Sequence, residues 1–136
     1  MSASRIIVVA HDSMKPKLEA FLSDKEDWLW GRTLVATGQT AAFVEEQGFS
    51  VPISRVALGR EGGYVELRTM VEAGEVDLVV FFRDPEIVQD YALEVTEFVK
   101  ACMRENVPLA VNPSSAELLI LGIIKSESAA KLRARS

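Results

Sequence analysis

Two runs of this chain, Arg5–Ala10 (RIIVVA) and Val76–Phe82 (VDLVVFF), are apolar almost without a break and rich in β-branched or aromatic residues. A strand with one wet face alternates apolar and polar residues. A strand apolar throughout is buried on both faces, so its sheet needs helices on each side. The rest of the chain supplies them. Leu18, Phe21 and Leu22 recur at helical spacing, with Ser13 placed to cap and Pro16 tolerated in the first turn. Thr33–Ala36 reads as a second strand and is followed by a helix from about Thr40. Ser50–Val56 reads as a third strand, which Pro52 makes an edge or an irregular one. Val65, Leu67, Met70 and Val71 mark a helix stopped at Gly74, and a long helix spans roughly Ile87 to Glu105. Val107–Val111 is the fifth strand, and Ser114–Glu117 has capping-box spacing for the last helix. Strands alternating with helices predict an α/β three-layer sandwich around a central parallel sheet of about five strands. One domain is expected over residues 1–124, and the basic segment 125–136 is expected to fray.

Charge and composition exclude several classes of function. The 136 residues carry a formal charge of −5, against the basic face that a nucleic-acid binder presents. The longest apolar run, Leu118 to Ile124, is too short to span a bilayer. Met1–Arg5 shows no leader pattern, and the single cysteine, Cys102, suits a reducing compartment; the expected location is cytoplasmic. Cys102 lies mid-helix and reads as a buried, inert thiol. No His, Cys and carboxylate group has metal-ligand spacing, and no cofactor is implied.

In a parallel α/β sheet, ligands sit beyond the carboxyl ends of the strands. His11-Asp12, Thr37–Thr40, Leu58–Gly63, Arg83-Asp84 and Asn112 all fall there. Thr37-Gly38-Gln39-Thr40 is a hydroxyl-rich turn at a strand-to-helix junction. Outward N–H groups and the helix dipole favour an anion at such a place. Lys15 adds a point charge in the first turn of a helix, a position that disfavours a purely structural lysine. Arg60, in the glycine-rich turn, has the planar fork that suits phosphate. The ligand these groups point to is a small phosphorylated metabolite or phosphate. Each has a structural alternative: helix capping by Thr37 or Thr40, a satisfied structural His11, a solvated Lys15 or Arg60, and a merely flexible turn at Gly59, Gly62 and Gly63.

The chain resembles the methylglyoxal synthase-like domain family, which includes the regulatory domain of carbamoyl-phosphate synthetase. The resemblance covers roughly residues 5 to 122. Ala10-His11-Asp12 with Lys15, Ala36–Thr40, Gly59–Gly63, Glu72–Asp77, Phe81–Pro85, and Asn112 with Ala116-Glu117 carry it, in the family's order and at nearly its spacing. In methylglyoxal synthase, dihydroxyacetone phosphate loses phosphate after a carboxylate removes a proton beside the carbonyl, assisted by a histidine. The resemblance implies that Lys15, Thr37, Gly38, Thr40 and Gly59 hold phosphate, with His11 near the ligand. Gln39 stands where a threonine is usual and Leu58 where a serine is usual.

The departures fall on the reacting groups. The catalytic aspartate follows the Gly-Gly pair, where this chain has Tyr64. The assisting histidine lies seven residues after the aspartate of the Asp-Pro pair, where this chain has Tyr91. Val65-Glu66 replaces a usual Gln-Gln, and Glu94 stands for an aspartate at the start of the long helix. A phenol with an ordinary pKa of about 10 is a poor replacement for an ionised base. The chain is therefore read as a phosphate-ligand binder without the usual synthase chemistry. The alternative is a divergent synthase using Asp84, Glu66 or Glu94, or a lyase on a related phosphorylated substrate. A scaffold with a degenerate pocket is a third reading. The resemblance also implies a homo-oligomer, to which the edge strand, Trp28 and Trp30 offer apolar area.

Overall fold

A computed structural model describes residues 5–135 of the chain. The lead-in at residues 1–4, read above as free of a leader pattern, lies outside the described residues. Five strands run β1 (Arg5–Ala10), β2 (Thr33–Thr37), β3 (Ile53–Val56), β4 (Leu78–Phe82) and β5 (Leu109–Ala110). Six helices join them: α1 (Lys15–Asp24), α2 (Glu26–Leu29), α3 (Gly38–Glu46), α4 (Gly63–Glu72), α5 (Ala92–Arg104) and α6 (Pro113–Arg135). Short 3-10 turns cover Asp12–Met14 and Gly59–Glu61.

The sheet order is β3-β2-β1-β4-β5, and every pairing is parallel. The expected α/β sandwich is thus the observed one. Burial on both faces follows from the strand period of two. Ile6, Val8 and Ala10 join Leu78, Val80 and Phe82 in one core with Leu18 and Leu22 of α1, Val44 of α3 and Ile120 of α6. Ile7, Val9, Val79 and Phe81 join a second core with Leu67 and Val71 of α4 and Phe98 and Cys102 of α5. Burial pushes the Cys102 thiol up to about 11, so it stays protonated at neutral pH. No helix among the described residues is long and apolar enough to cross a membrane.

Several boundaries differ from the sequence reading. β3 begins only at Ile53, after Pro52, and β5 keeps two residues. α5 starts at Ala92 rather than Ile87, because the Asp84 carboxylate accepts the Glu86 N–H at 2.9 Å and folds the segment after Pro85 into a turn. Ser13 sits in the 3-10 turn before α1 and its hydroxyl donates to Asp84 Oδ2 at 2.6 Å instead of capping.

At the start of α6 the cap is Asn112. Its Oδ1 accepts the Ser115 N–H at 2.9 Å, and its carbonyl accepts the Ser115 hydroxyl at 3.0 Å. Glu117, expected to close a capping box, instead pairs with Lys25 at 2.5 Å. Asn112→Ala is expected to cost about 1 kcal/mol in a denaturant melt. A change within error would assign the cap elsewhere.

The segment from Lys125, expected to fray, continues as helix to Arg135. No glycine or proline follows Gly122. The added turns are also tied back to the domain: Glu127 accepts two bonds from the Arg32 guanidinium at 3.0 and 2.9 Å. That guanidinium lies 3.8 Å from the centre of the Trp28 ring.

Candidate functional site

β1 ends in the pocket that gathers most of the expected site residues. A cavity of about 170 Å³ lies beyond the carboxyl ends of β1, β2 and β3, beside the turn that follows β4. His11, Lys15, Thr37, Gln39, Thr40, Gly59, Arg60, Tyr64 and Tyr91 all line it, together with Ala10, Asp12 and Gln89. The first four strands are brought level by register: Ala10 pairs with Phe82, and Thr37 with Val56.

One wall carries the cationic and helix-terminal groups. Lys15 is buried, with 7% exposure. Its ammonium donates to the Ala10 carbonyl at 3.1 Å and to Asp12 Oδ1 at 2.6 Å. An ammonium has three N–H groups, and these bonds use two. The Lys15 hydrogen bond holds the Asp12 carboxyl below its ordinary range. Thr40 is 1% exposed, and its hydroxyl lies 3.4 Å from the Ala10 amide and 3.5 Å from the Ala10 carbonyl, joining α3 to the end of β1. Thr37 precedes α3 without a side-chain cap, so the first-turn amides of Gln39 and Thr40 are available to an anion.

His11 is fixed in one tautomer. The Asp84 N–H donates to His11 Nδ1 at 2.8 Å, which places the ring proton on Nε2. Burial, then the Arg83 charge, lower its pKa from the ordinary value, so the ring is neutral at pH 7. The site meets a neutral Nε2–H donor there.

The opposite wall is aromatic. Tyr64, 3% exposed, stacks on Tyr91 at 5.7 Å between ring centres and packs against Phe81 and Phe98 at 5.8 and 6.0 Å. Both rings lie over Gly59, where an added Cβ would meet Tyr64 Cε2 at 2.9 Å and Tyr91 Cε2 at 3.1 Å. Glycine at 59 is therefore a packing requirement rather than mere flexibility. Burial raises the pKa of both phenols, so both are protonated at neutral pH.

Other expected residues stand apart from this lining. Gly38 packs beneath Leu58, whose Cδ2 would be 2.9 Å from a Cβ at 38. Leu58 thereby shapes the turn, while Gly59 next to it reaches the pocket. Glu66 accepts the Ala57 N–H at 2.8 Å, and Glu94 lies in the first turn of α5. Asp84 lines a neighbouring cleft with Met14, Pro85 and Asn112, and the Ser13 hydroxyl holds its carboxyl below the ordinary range.

Sequence reasoning missed Gln89 and undervalued Asp12. Gln89 sits in an irregular turn and donates to the Tyr91 hydroxyl at 2.6 Å; nothing in its local sequence announces this. Asp12 was legible, since Asp12 and Lys15 are one helical turn apart.

The family model of the MGS-like domain matches residues 29–111, more than half of the chain. This chain belongs to the MGS-like domain family. Among its relatives, methylglyoxal synthase of Carboxydothermus hydrogenoformans is 36% identical over 116 residues, covering 85% of this chain and 95% of that protein. Methylglyoxal synthase of Cupriavidus taiwanensis is 36% identical over 128 residues, covering 93% and 95%. The crystal structure of methylglyoxal synthase from Elizabethkingia anophelis superposes with a TM-score of 0.75 at 30% identity, covering 86% of this chain and 76% of that one. For this MGS-like domain, the five-stranded parallel sheet belongs to the shared architecture.

Proposed function

We propose that this MGS-like domain binds a small phosphorylated metabolite or phosphate in the β1–β2 pocket and does not carry out synthase chemistry there. The phosphate would rest on Lys15, the α3 amides of Gln39 and Thr40, and the Thr37 hydroxyl, with His11 Nε2–H donating beside it. One observation carries the negative half. Position 64, where the family resemblance calls for a base, holds a buried tyrosine locked into an aromatic cluster. A neutral phenol does not abstract a carbon-bound proton at neutral pH, and general-base catalysis supplies roughly 10²–10⁴-fold. Among the described residues lining the pocket, Asp12 alone bears a carboxylate, and its bond to Lys15 makes it a weak base.

The second reading is a divergent methylglyoxal synthase acting on dihydroxyacetone phosphate. Its support is that relatives bearing that name match nearly end to end. Methylglyoxal formation from dihydroxyacetone phosphate by the purified protein, with calorimetric binding on the same sample, separates the two. The expected result is binding without turnover. Turnover that is lost in Lys15→Ala would establish the synthase reading instead. Lys15→Ala is expected to weaken dihydroxyacetone phosphate binding more than about tenfold, on the scale of one lost charge-assisted bond, and Thr40→Ala to weaken it as much by releasing α3 and its first-turn amides from the end of β1. Unchanged affinity in both would remove the phosphate site.

A further inference from the structure

We propose that the end of the pocket formed by Arg60, Gln89 and Tyr91 takes a carboxylate, so that the ligand is a short phosphorylated carboxylate. This rests on the phosphate reading of the opposite end.

Gln89 donates its amide to the Tyr91 oxygen at 2.6 Å. With that acceptor site engaged, the phenol's own proton is left to donate onward. Burial keeps that proton in place at neutral pH. Arg60 lines the same end, close enough for its charge to act on the Tyr91 hydroxyl, and a guanidinium only donates. The Tyr91 ring is fixed by its stack on Tyr64 and by the close approach of Gly59. The held Tyr91 hydroxyl and the Arg60 guanidinium are thus the donors this end presents, and what satisfies them is an acceptor-rich, planar anion that fits a guanidinium fork.

Charge placement points the same way. No carboxylate stands at position 64, so a ligand carboxylate meets no fixed negative charge on that wall. Asp12 and Asp90 are the acidic groups that act on Tyr91, and Asp12 acts on it more strongly than Arg60 does; the Asp12 carboxylate is however paired with the Lys15 ammonium at 2.6 Å, and Asp90 lies outside the lining. A ligand alcohol brings a proton as well as lone pairs, and its oxygen offers less charge to these donors than a carboxylate does. A volume of about 170 Å³ holds both ends of a two- or three-carbon chain and is below the ~300–1,000 Å³ of drug-sized sites.

The test compares 3-phosphoglycerate with glycerol 3-phosphate, which share a carbon skeleton and differ by a carboxylate against a hydroxymethyl group. Inorganic phosphate is the third titrant. Calorimetry on the intact protein at about 0.15 M salt limits long-range charge effects to roughly 8 Å. The expected result is binding of 3-phosphoglycerate at least about tenfold tighter than glycerol 3-phosphate. Arg60→Gln, at an exposed position, is expected to bring the two within about twofold of each other. Equal affinities in the unaltered protein, or a preference that survives both Arg60→Gln and Tyr91→Phe, would overturn the carboxylate end while phosphate binding stood. Failure of all three titrants to bind would overturn the phosphate reading and this inference with it.

Discussion

Tyr64→Asp is expected to lower stability by about 3–5 kcal/mol and to leave methylglyoxal formation at background. The ring is buried among Tyr91, Phe81 and Phe98, and aspartate replaces none of those contacts. The new carboxylate would also enter an apolar wall, where desolvation raises its pKa and holds part of it neutral. Even ionised, it would face Tyr91 rather than an imidazole. Urea melts read the first effect, and an assay on dihydroxyacetone phosphate reads the second. A loss below about 1 kcal/mol would show that the aromatic cluster repacks freely. High turnover would show that position 64 alone decides the chemistry.

Gly63→Ala is expected to cost about 3 kcal/mol, by overpacking against atoms that cannot move aside. A Cβ at 63 would lie 2.2 Å from the Ala57 carbonyl oxygen and 3.0 Å from the Leu58 carbonyl oxygen. Both belong to the backbone leading out of β3, and the Gly63 N–H already donates to the Leu58 oxygen at 3.0 Å. Gly62 before it adopts φ 95°, which lets the chain reverse into α4. Relief of the clash would displace the turn that carries Gly59 and Arg60, so pocket affinity should fall with stability. A neutral melt for Gly63→Ala would mean that this turn is adjustable.

The sheet was legible because its strands are apolar runs that only a doubly covered parallel sheet can bury. Arg5–Ala10 and Leu78–Phe82 are the cleanest cases, and both became central strands. Boundaries were less legible wherever a side chain competed with the backbone. Asp84 accepting the Glu86 amide delays α5, and Asn112 takes the cap that Ser114 and Glu117 were expected to form. In the pocket, residues at strand ends were legible because the topology dictates where those ends lie. Their partners were not. That Tyr64 lies against Tyr91, or that Gln89 reaches the Tyr91 hydroxyl, depends on how two turns separated by β4 fold over Gly59. Glu66 and Glu94 carried the right chemical type at plausible positions, yet Glu66 holds the Ala57 amide and Glu94 opens α5.

The two walls of the pocket come from different stretches of chain: one from the ends of β1 and β2, the other from the turns after β3 and β4. One bond that joins them, from residue 84 to His11 Nδ1, is given by a backbone amide. Any residue but proline can supply that amide. On the proposed phosphate reading, substitutions in the second wall can exchange what the site recognises while the first keeps the phosphate. Such a division lets a lineage change the business of a pocket without rebuilding it.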